Sequence, residues 1–358
     1  MDIEKRFKLI KEVGEEIITE AELLELLKSK KKFVAYDGFE PSGSIHVAQG
    51  IMRAVNINKM VKAGCHFKMW VADWFAWANN KLGGNLGNIQ TAGDYMIEVW
   101  KACGLDMDGV EFLLTSDHVS NPEYWKIVMN VARNSTVNRI VRCGQIMGRK
   151  ESEMQQASQI LYPCMQCADI FYLEADVCQL GMDQRKVNVL AREIGPKLGF
   201  WKPVVVSHHM LMGLGKPVSN EKDSAERAID LKMSKSRPET AVFMTDTKEQ
   251  VERKISNAYC PASQVGENPL MEYMQYLIFE KFSKVKIERD KKFGGDVEFS
   301  NYNGLVKSYS DGEVHPLDLK KAVAFYVNKM LDPVRKHFDT NKKARDLLNQ
   351  VRSFEITR

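Results

Sequence analysis

Two rhythms of apolar residues alternate along most of this chain, one at helical spacing and one in short unbroken runs. The segment up to about Lys30 reads as helix: Thr19-x-x-Glu22 is a capping box that opens into Leu23, Leu24, Leu26 and Leu27. Lys31 and Lys32 then give way to Phe33-Val34-Ala35-Tyr36, a strand pattern. A turn-rich stretch from Asp37 to Gly43 leads through Ile45 and His46 into a helix reaching Met60, with Val47, Ile51, Val55 and Ile57 as its apolar positions. Strand, glycine-containing loop and helix, in that order, present free backbone N–H groups to an anion.

The alternation continues. Phe67 to Ala72 reads as a strand, Ala92 to Cys103 as a helix and Val110 to Leu114 as a strand. Trp74, Phe75 and Trp77, after the second strand, read as core packing in preference to the lining of a pocket. Residues 119–157 break the pattern: they are helical, carry Arg133, Arg139, Arg142, Arg149 and Lys150, and contain no clear strand. Leu161 to Leu173 is a buried helix, Val177 to Leu180 a short strand, Met182 to Glu193 a helix, and Val204 to Val206 and Ala241 to Met244 two more strands. Strands alternating with helices predict an α/β fold around a parallel sheet of the Rossmann kind. Composition shifts near Thr245: Val251 to Ala258, Pro269 to Phe279 and Leu317 to Lys329 read as helices. Val285 to Ile287 and Val297 to Phe299 flank Phe293-Gly294-Gly295-Asp296 as a hairpin. The expected organisation is an N-terminal helical segment (1–32), a sheet domain (33–245) with a helical insertion (118–160), and a mainly α-helical C-terminal domain (246–358).

Composition narrows the class only a little. At 358 residues, 44% hydrophobic and 27% charged, the chain has ample length for a core of its own. No apolar run is long enough to span a membrane and no signal peptide is visible, so a soluble, cytoplasmic protein is expected, with no membrane partner. The net charge of +4 permits nucleic acid as a partner without arguing for it. The basic tail from Lys320 to Arg352 reads equally as a solvated helix face or an RNA-facing surface. The seven cysteines are odd in number and sit mostly among apolar residues, which suits reduced, buried thiols. Cys164-x-x-Cys167 has no second pair, so no structural metal is predicted.

The chemistry-bearing stretch is Lys232-Met233-Ser234-Lys235-Ser236. Two ammonium groups and two hydroxyls in five residues suit a mobile loop folding over a polyphosphate, the amines opposing its charge and the hydroxyls bonding its oxygens. An ordinary solvated Lys/Ser loop is the plain alternative. The exact string, however, resembles the second ATP motif of class I aminoacyl-tRNA synthetases. Far upstream, Pro41-Ser42-Gly43-Ser44-Ile45-His46-Val47-Ala48-Gln49 occupies the place where that family carries H-I-G-H, with Ala48 for the glycine and Gln49 for the second histidine.

Three further stretches resemble the tyrosyl-tRNA synthetases of archaea and the eukaryotic cytosol: Tyr36 to Gly43, Tyr162-Pro163-Cys164-Met165-Gln166-Cys167-Ala168-Asp169, and Gly181 to Lys186. The likeness runs on through Ala258 to Pro261, Phe293 to Asp296 and His315 to Lys320. It implies a Rossmann catalytic domain and an anticodon-binding domain, L-tyrosine and ATP with Mg2+ as substrates, tRNA-Tyr as partner, and a homodimer joined through the 118–160 insertion. It places Tyr36 and Asp169 on the phenol and Tyr162, Gln166 and Gln184 on the α-amino end. ATP falls to Gly38, Ser42, His46, Gln49, Gly181, Asp183, Met233 and Ser236, with Lys232, Lys235, Ser234 and His46 stabilising charge on the departing pyrophosphate. Arg185 would face the acceptor end, and Phe293 and Asp318 the anticodon. The residue types fit the task. A pocket that takes tyrosine and rejects phenylalanine must bond the phenol hydroxyl; discrimination of roughly 10⁵-fold is the standard example for this enzyme type. Asp169, amid Ala168, Ile170 and Phe171, needs a partner. Three other readings fit less of the chain: a tryptophanyl-tRNA synthetase, a non-catalytic RNA-binding paralogue, and another nucleotidyltransferase of the same superfamily.

Overall fold

The computed structural model describes residues 1–147, 156–222, 224–235 and 237–354. Three residues singled out above, Arg149, Lys150 and Ser236, lie outside these ranges, as does the 148–155 part of the expected insertion.

Six strands form one sheet: β1 (Glu16–Ile18), β2 (Phe33–Phe39), β3 (Cys65–Val71), β4 (Val110–Leu114), β5 (Val177–Cys178) and β6 (Val204–Ser207). Their spatial order is β1-β6-β5-β2-β3-β4. All neighbours run parallel except β1, which pairs antiparallel with β6. The chain therefore builds outward from β2 in one direction through β3 and β4, then crosses to β5 and builds outward in the other. The two halves diverge between β2 and β5, and the crevice outside the carboxyl ends of those strands is where such sheets bind ligands. Both faces of β2 are largely covered, which is why its sequence is a nearly unbroken apolar run.

Strand residues sort by parity. Tyr36, Trp70, Cys178 and Val205 pack on one face with the helices Pro122–Arg133 and Ala157–Tyr172. Ala35, Phe67, Met69, Val177, Val204 and Val206 belong to a second cluster on the other face. That second cluster continues without a break into Val251, Leu270, Leu277, Leu319, Val323 and Val327 of the C-terminal half.

Two sequence expectations change. The N-terminal segment is not wholly helical: helices Ile3–Val13 and Glu20–Ser29 flank β1, which closes an edge of the sheet. The Thr19–Glu22 capping box forms as expected, at the start of the second helix. The strand expected over Ala241 to Met244 does not form. Only Phe243 bridges, to His46, while Val47 N–H donates to Val242 O and Met244 N–H to Ile45 O, each at 2.9 Å. The segment is apolar because it packs under the start of the helix that follows His46: a Cβ added at Gly50 would lie 2.4 Å from Met244 Sδ.

The C-terminal half contains helices Lys248–Ser256, Pro269–Tyr273, Tyr302–Ser310, Pro316–Thr340 and Lys342–Ser353. The expected hairpin forms from β7 (Val285–Ile287) and β8 (Val297–Phe299), paired antiparallel. Its turn needs Gly294 and Gly295, whose φ angles are +97° and +72°. His337 Nε2 of the long helix lies 2.8 Å from Glu98 Oε2 on helix Leu86–Ala102, tying this half to the sheet.

Candidate active site

One cleft of about 1470 Å³ opens at the carboxyl ends of β2 and β5. It is lined by Tyr36, Gly38, Ser42, His46 and Gln49 from β2 and the loop and helix after it, by Tyr162, Gln166 and Asp169 from helix Ala157–Tyr172, by Gly181, Asp183 and Gln184 after β5, and by Lys232, Met233, Ser234 and Lys235. Fifteen residues scattered from position 36 to 235 thus meet at the divergence point of the sheet. Arg185, Phe293 and Asp318 do not line it.

At the deep end, Asp169 is 1% exposed and accepts a hydrogen bond from Tyr124 Oη at 2.9 Å. Burial pushes its carboxyl well above the usual range, against the pull of Tyr124 and the Trp70 indole. Tyr36 is fully buried, and its hydroxyl has no hydrogen-bond partner among the described residues. A buried hydroxyl and a buried carboxylate thus both open onto one cavity, an arrangement that suits a ligand hydroxyl able to donate to one and bond the other. Phe75 is both core and cleft wall, 2% exposed and packing edge-on to Tyr162 with centroids 4.8 Å apart, whereas Trp77 departs from the expectation: it is 46% exposed and belongs to neither core nor cleft.

Next outward, Gln166 Nε2 donates to Gln184 Oε1 at 2.9 Å, and Tyr162 Oη donates to Glu40 Oε1 at 2.6 Å. Asn79 and Lys81 also approach Glu40, at 3.0 and 3.8 Å. This corner combines a carboxylate, two amides and a phenol, acceptors suited to a primary ammonium. Gly181 leaves room for its neighbours: an added Cβ would lie 2.6 Å from Asp183 Oδ1 and 2.7 Å from Met210 Sδ and would displace those two side chains.

At the mouth, the lysine loop lies folded over the cleft. Lys232 Nζ is 2.6 Å from Asp183 Oδ2, and Lys235 Nζ is 3.0 Å from Ser42 Oγ. Met212 and Lys232 form an isolated antiparallel bridge that anchors the start of the loop. Burial and then the nearby Lys81 push the Lys235 amine down to about 7, with Glu40 opposing. His46 is buried, its Nδ1 is unpartnered among the described residues, and burial together with Lys235 and Lys232 holds its pKa at about 3. A neutral imidazole, the Lys232 ammonium and a Lys235 amine poised to take up a proton therefore face the same space. That set can bind a polyanion while keeping the histidine available as a hydrogen-bond donor.

Sequence reasoning missed several members. Tyr124 carries no signal of its own, being one aromatic on the buried face of an amphipathic helix. Glu40 was passed over as part of a turn. On the cleft wall, Arg53 Nη2 is 2.5 Å from Asp37 Oδ2, donates to Gln179 O and Oε1, and has Nη1 3.1 Å from His208 Nδ1. Arg53 on an otherwise apolar helix face was the available clue, because a guanidinium there requires buried partners. Arg185, expected to face the tRNA acceptor end, keeps a partly exposed side chain and is held by Glu16 of β1 through two bonds of 2.6 and 3.0 Å. Cys164 and Cys167 are both buried, and burial raises their thiols, Cys164 to about 11. Among the described residues no cluster of three metal-ligating side chains occurs.

In the other half, Phe293 at the hairpin turn is 65% exposed, with Lys292 Nζ 4.9 Å above its ring. Arg289, on the same hairpin, donates from Nη1 to Glu313 O, which joins the turn to the loop preceding Asp318.

A family model described as tRNA synthetases class I (W and Y) matches residues 28–332. Arabidopsis thaliana cytoplasmic tyrosine–tRNA ligase 1 is 48% identical over 360 residues, spanning 100% of this chain and 90% of its own length. Among solved structures, Leishmania major tyrosyl-tRNA synthetase in complex with tyrosinol superposes with a TM-score of 0.90 at 43% identity, covering 100% of this chain and 61% of the Leishmania chain. The Pyrococcus horikoshii tyrosyl-tRNA synthetase complexed with L-tyrosine gives a TM-score of 0.90 at 37% identity, covering 98% of this chain and 100% of its own.

Proposed function

The chain belongs to the tyrosyl-tRNA synthetases of class I, and from that premise we propose how its cleft activates L-tyrosine and charges tRNA-Tyr for protein synthesis. The tyrosine carboxylate oxygen attacks the α-phosphorus of ATP, the bond from that phosphorus to the bridging oxygen breaks, and pyrophosphate leaves. A terminal ribose hydroxyl of the tRNA then attacks the acyl carbon, and AMP departs. No side-chain nucleophile is needed; the protein contributes position and charge.

The observation that carries this reading is the pairing of Tyr36 and Asp169 at the closed end of the cleft that Lys232 and Lys235 cover at its mouth. The phenol hydroxyl donates to Asp169 and bonds the otherwise unpartnered Tyr36 Oη. Tyr162, Gln166 and Gln184 receive the α-ammonium, with Glu40 supplying the neighbouring negative charge. Gly38, Gln49, Gly181, Asp183 and Met233 bound the nucleoside, Asp183 taking the ribose hydroxyls. Lys232, Lys235, Ser234, Ser236, Ser42 and His46 hold phosphate oxygens as charge gathers on pyrophosphate. The Asp183–Lys232 pair must open for this, each partner exchanging the other for a part of the nucleotide. Mg2+ enters as part of the ATP complex and neutralises phosphate charge.

For tRNA, we assign the helices after position 245 to the anticodon arm, with Phe293 stacking on a base, Asp318 bonding a base edge and Arg185 near the acceptor end. Exposed Met129, Val137 and Ile160 of the insertion, with Leu161 beside them, support a homodimer through that surface. The cytoplasm is the proposed compartment. The test is amino-acid-dependent exchange of pyrophosphate into ATP, wild type beside Asp169→Ala. Exchange with tyrosine but not tryptophan, lost in the variant, is expected; full activity in Asp169→Ala refutes the assignment.

A further inference from the structure

The tandem histidines after β6 point in opposite directions. His208 is buried against Arg53 and Gln179, while its main chain brackets the loop after β5: His208 N–H donates to Leu180 O at 2.9 Å, and Met182 N–H donates to His208 O at 3.1 Å. His209 faces the junction with the C-terminal half. Its Nδ1 lies 2.8 Å from Glu15 Oε2, its Nε2 lies 3.1 Å from Glu272 Oε2, and its ring stacks on Tyr276 with centroids 4.2 Å apart and planes 11° apart. The two carboxylates outweigh burial and lift the ring to about 9, so it is a cation at neutral pH.

Glu272 does a second thing. The same Oε2 accepts the Met212 N–H at 2.8 Å. Met212 is the bridge partner of Lys232, and the bridge is flanked by Met233 N–H to Leu211 O at 2.8 Å and Gly213 N–H to Leu231 O at 3.0 Å. One carboxylate on helix Pro269–Tyr273 thus fixes the short segment on which the lysine loop begins. Tyr259 N–H adds a tie to Leu214 O at 2.8 Å, also from the C-terminal half.

We propose that Glu272, oriented by His209, is a positioning residue for Lys232: it holds Leu211 to Gly213 at the height from which the loop reaches the triphosphate, and so links the C-terminal helices to the catalytic loop. The proposal rests on the phosphate-binding role assigned to Lys232 above. Charge on His209 keeps the Glu272 carboxylate turned toward Met212, and a backbone N–H bonded to a carboxylate is held more tightly than one bonded to a neutral acceptor.

The test is a double-variant cycle in tyrosine-dependent pyrophosphate exchange. Glu272→Ala should lower kcat at least fivefold with the KM for tyrosine unchanged, because the phenol end of the cleft is untouched. Glu272→Gln, whose amide oxygen still accepts from Met212, should stay within about threefold of wild type. In the Lys232→Ala background the Glu272→Ala loss should vanish, since a residue acting through Lys232 has nothing left to position. Full additivity, or a matching rise in the KM for tyrosine, assigns Glu272 a merely structural role and overturns the proposal. If Lys232→Ala alone leaves kcat unaltered, the parent reading of the loop fails instead. Should Glu272→Ala not fold, His209→Phe, which keeps the stack on Tyr276 and removes both ion pairs, enters the same cycle with the same expected cancellation.

Discussion

Replacing Tyr36 by phenylalanine removes one oxygen and separates two quantities that usually move together. The ring is fully buried and its hydroxyl has no partner among the described residues. A buried hydroxyl left unsatisfied costs about 1–3 kcal/mol, which is the upper limit of what Tyr36→Phe returns to the folded state where the cleft can supply water. With an unfolding entropy of about 2.1 cal/mol/K per residue over 358 residues, the melting temperature should hold or rise by up to roughly 4 °C. The substrate has the opposite interest. A neutral hydrogen bond to its phenol is worth about 0.5–1.5 kcal/mol, so kcat/KM for tyrosine in pyrophosphate exchange should fall roughly 2- to 10-fold. Phenylalanine has no hydroxyl to lose, and its weak exchange should hold steady or rise. Scanning calorimetry of the ligand-free protein and exchange with both amino acids make the check. A variant that melts lower, or that handles tyrosine as wild type does, would refute the argument that Tyr36 waits for a ligand oxygen.

Three further outcomes are expected. Lys235→Ala should lower kcat for exchange by roughly 10²- to 10³-fold while changing the KM for tyrosine far less, as for a donor aimed at charge that develops only in the transition state; equal kcat values in steady-state kinetics would remove Lys235 from that role. Because the free Lys235 amine sits at about 7, it is mostly neutral at pH 8 and becomes charged beside phosphate. ATP binding at pH 8 should therefore take up nearly one proton, and less at pH 6 where the amine is already charged, as read by titration calorimetry in buffers of different ionisation enthalpy. Phe293→Ala should leave exchange untouched and reduce kcat/KM for tRNA charging by roughly 10- to 100-fold, the worth of one base stacked on an aromatic ring, as measured by aminoacylation of tRNA-Tyr transcript.

The sheet was readable in the sequence wherever a strand is covered on both faces, because burial turns it into a run such as Phe33 to Tyr36 or Val204 to Val206. β1 escaped because three residues on an antiparallel edge, between two helices, leave no run to see. Ala241 to Met244 misled for the converse reason: burial alone made it apolar, and the ladder that would define a strand is absent. The cleft was legible through its two loop motifs, whose residues must face solvent and substrate whatever the fold around them. Tyr124, Glu40 and the Arg53–Asp37–His208 network were not, since their meaning comes from neighbours far off in sequence: Arg53 and His208 are 155 positions apart. Glu272 is a further case, an unremarked acid in a short helix that accepts a backbone N–H 60 positions away.

The unbroken apolar cluster shared by the sheet and the C-terminal helices has a practical reading. There is no seam along which a scalpel at position 245 would free two intact pieces. The sheet piece would bare Tyr95, whose ring packs on Phe338 with centroids 5.6 Å apart, and the helical piece would lose the surface that shapes it. Heat should therefore melt both together, and grafting in a foreign helical half would disturb the cleft as well.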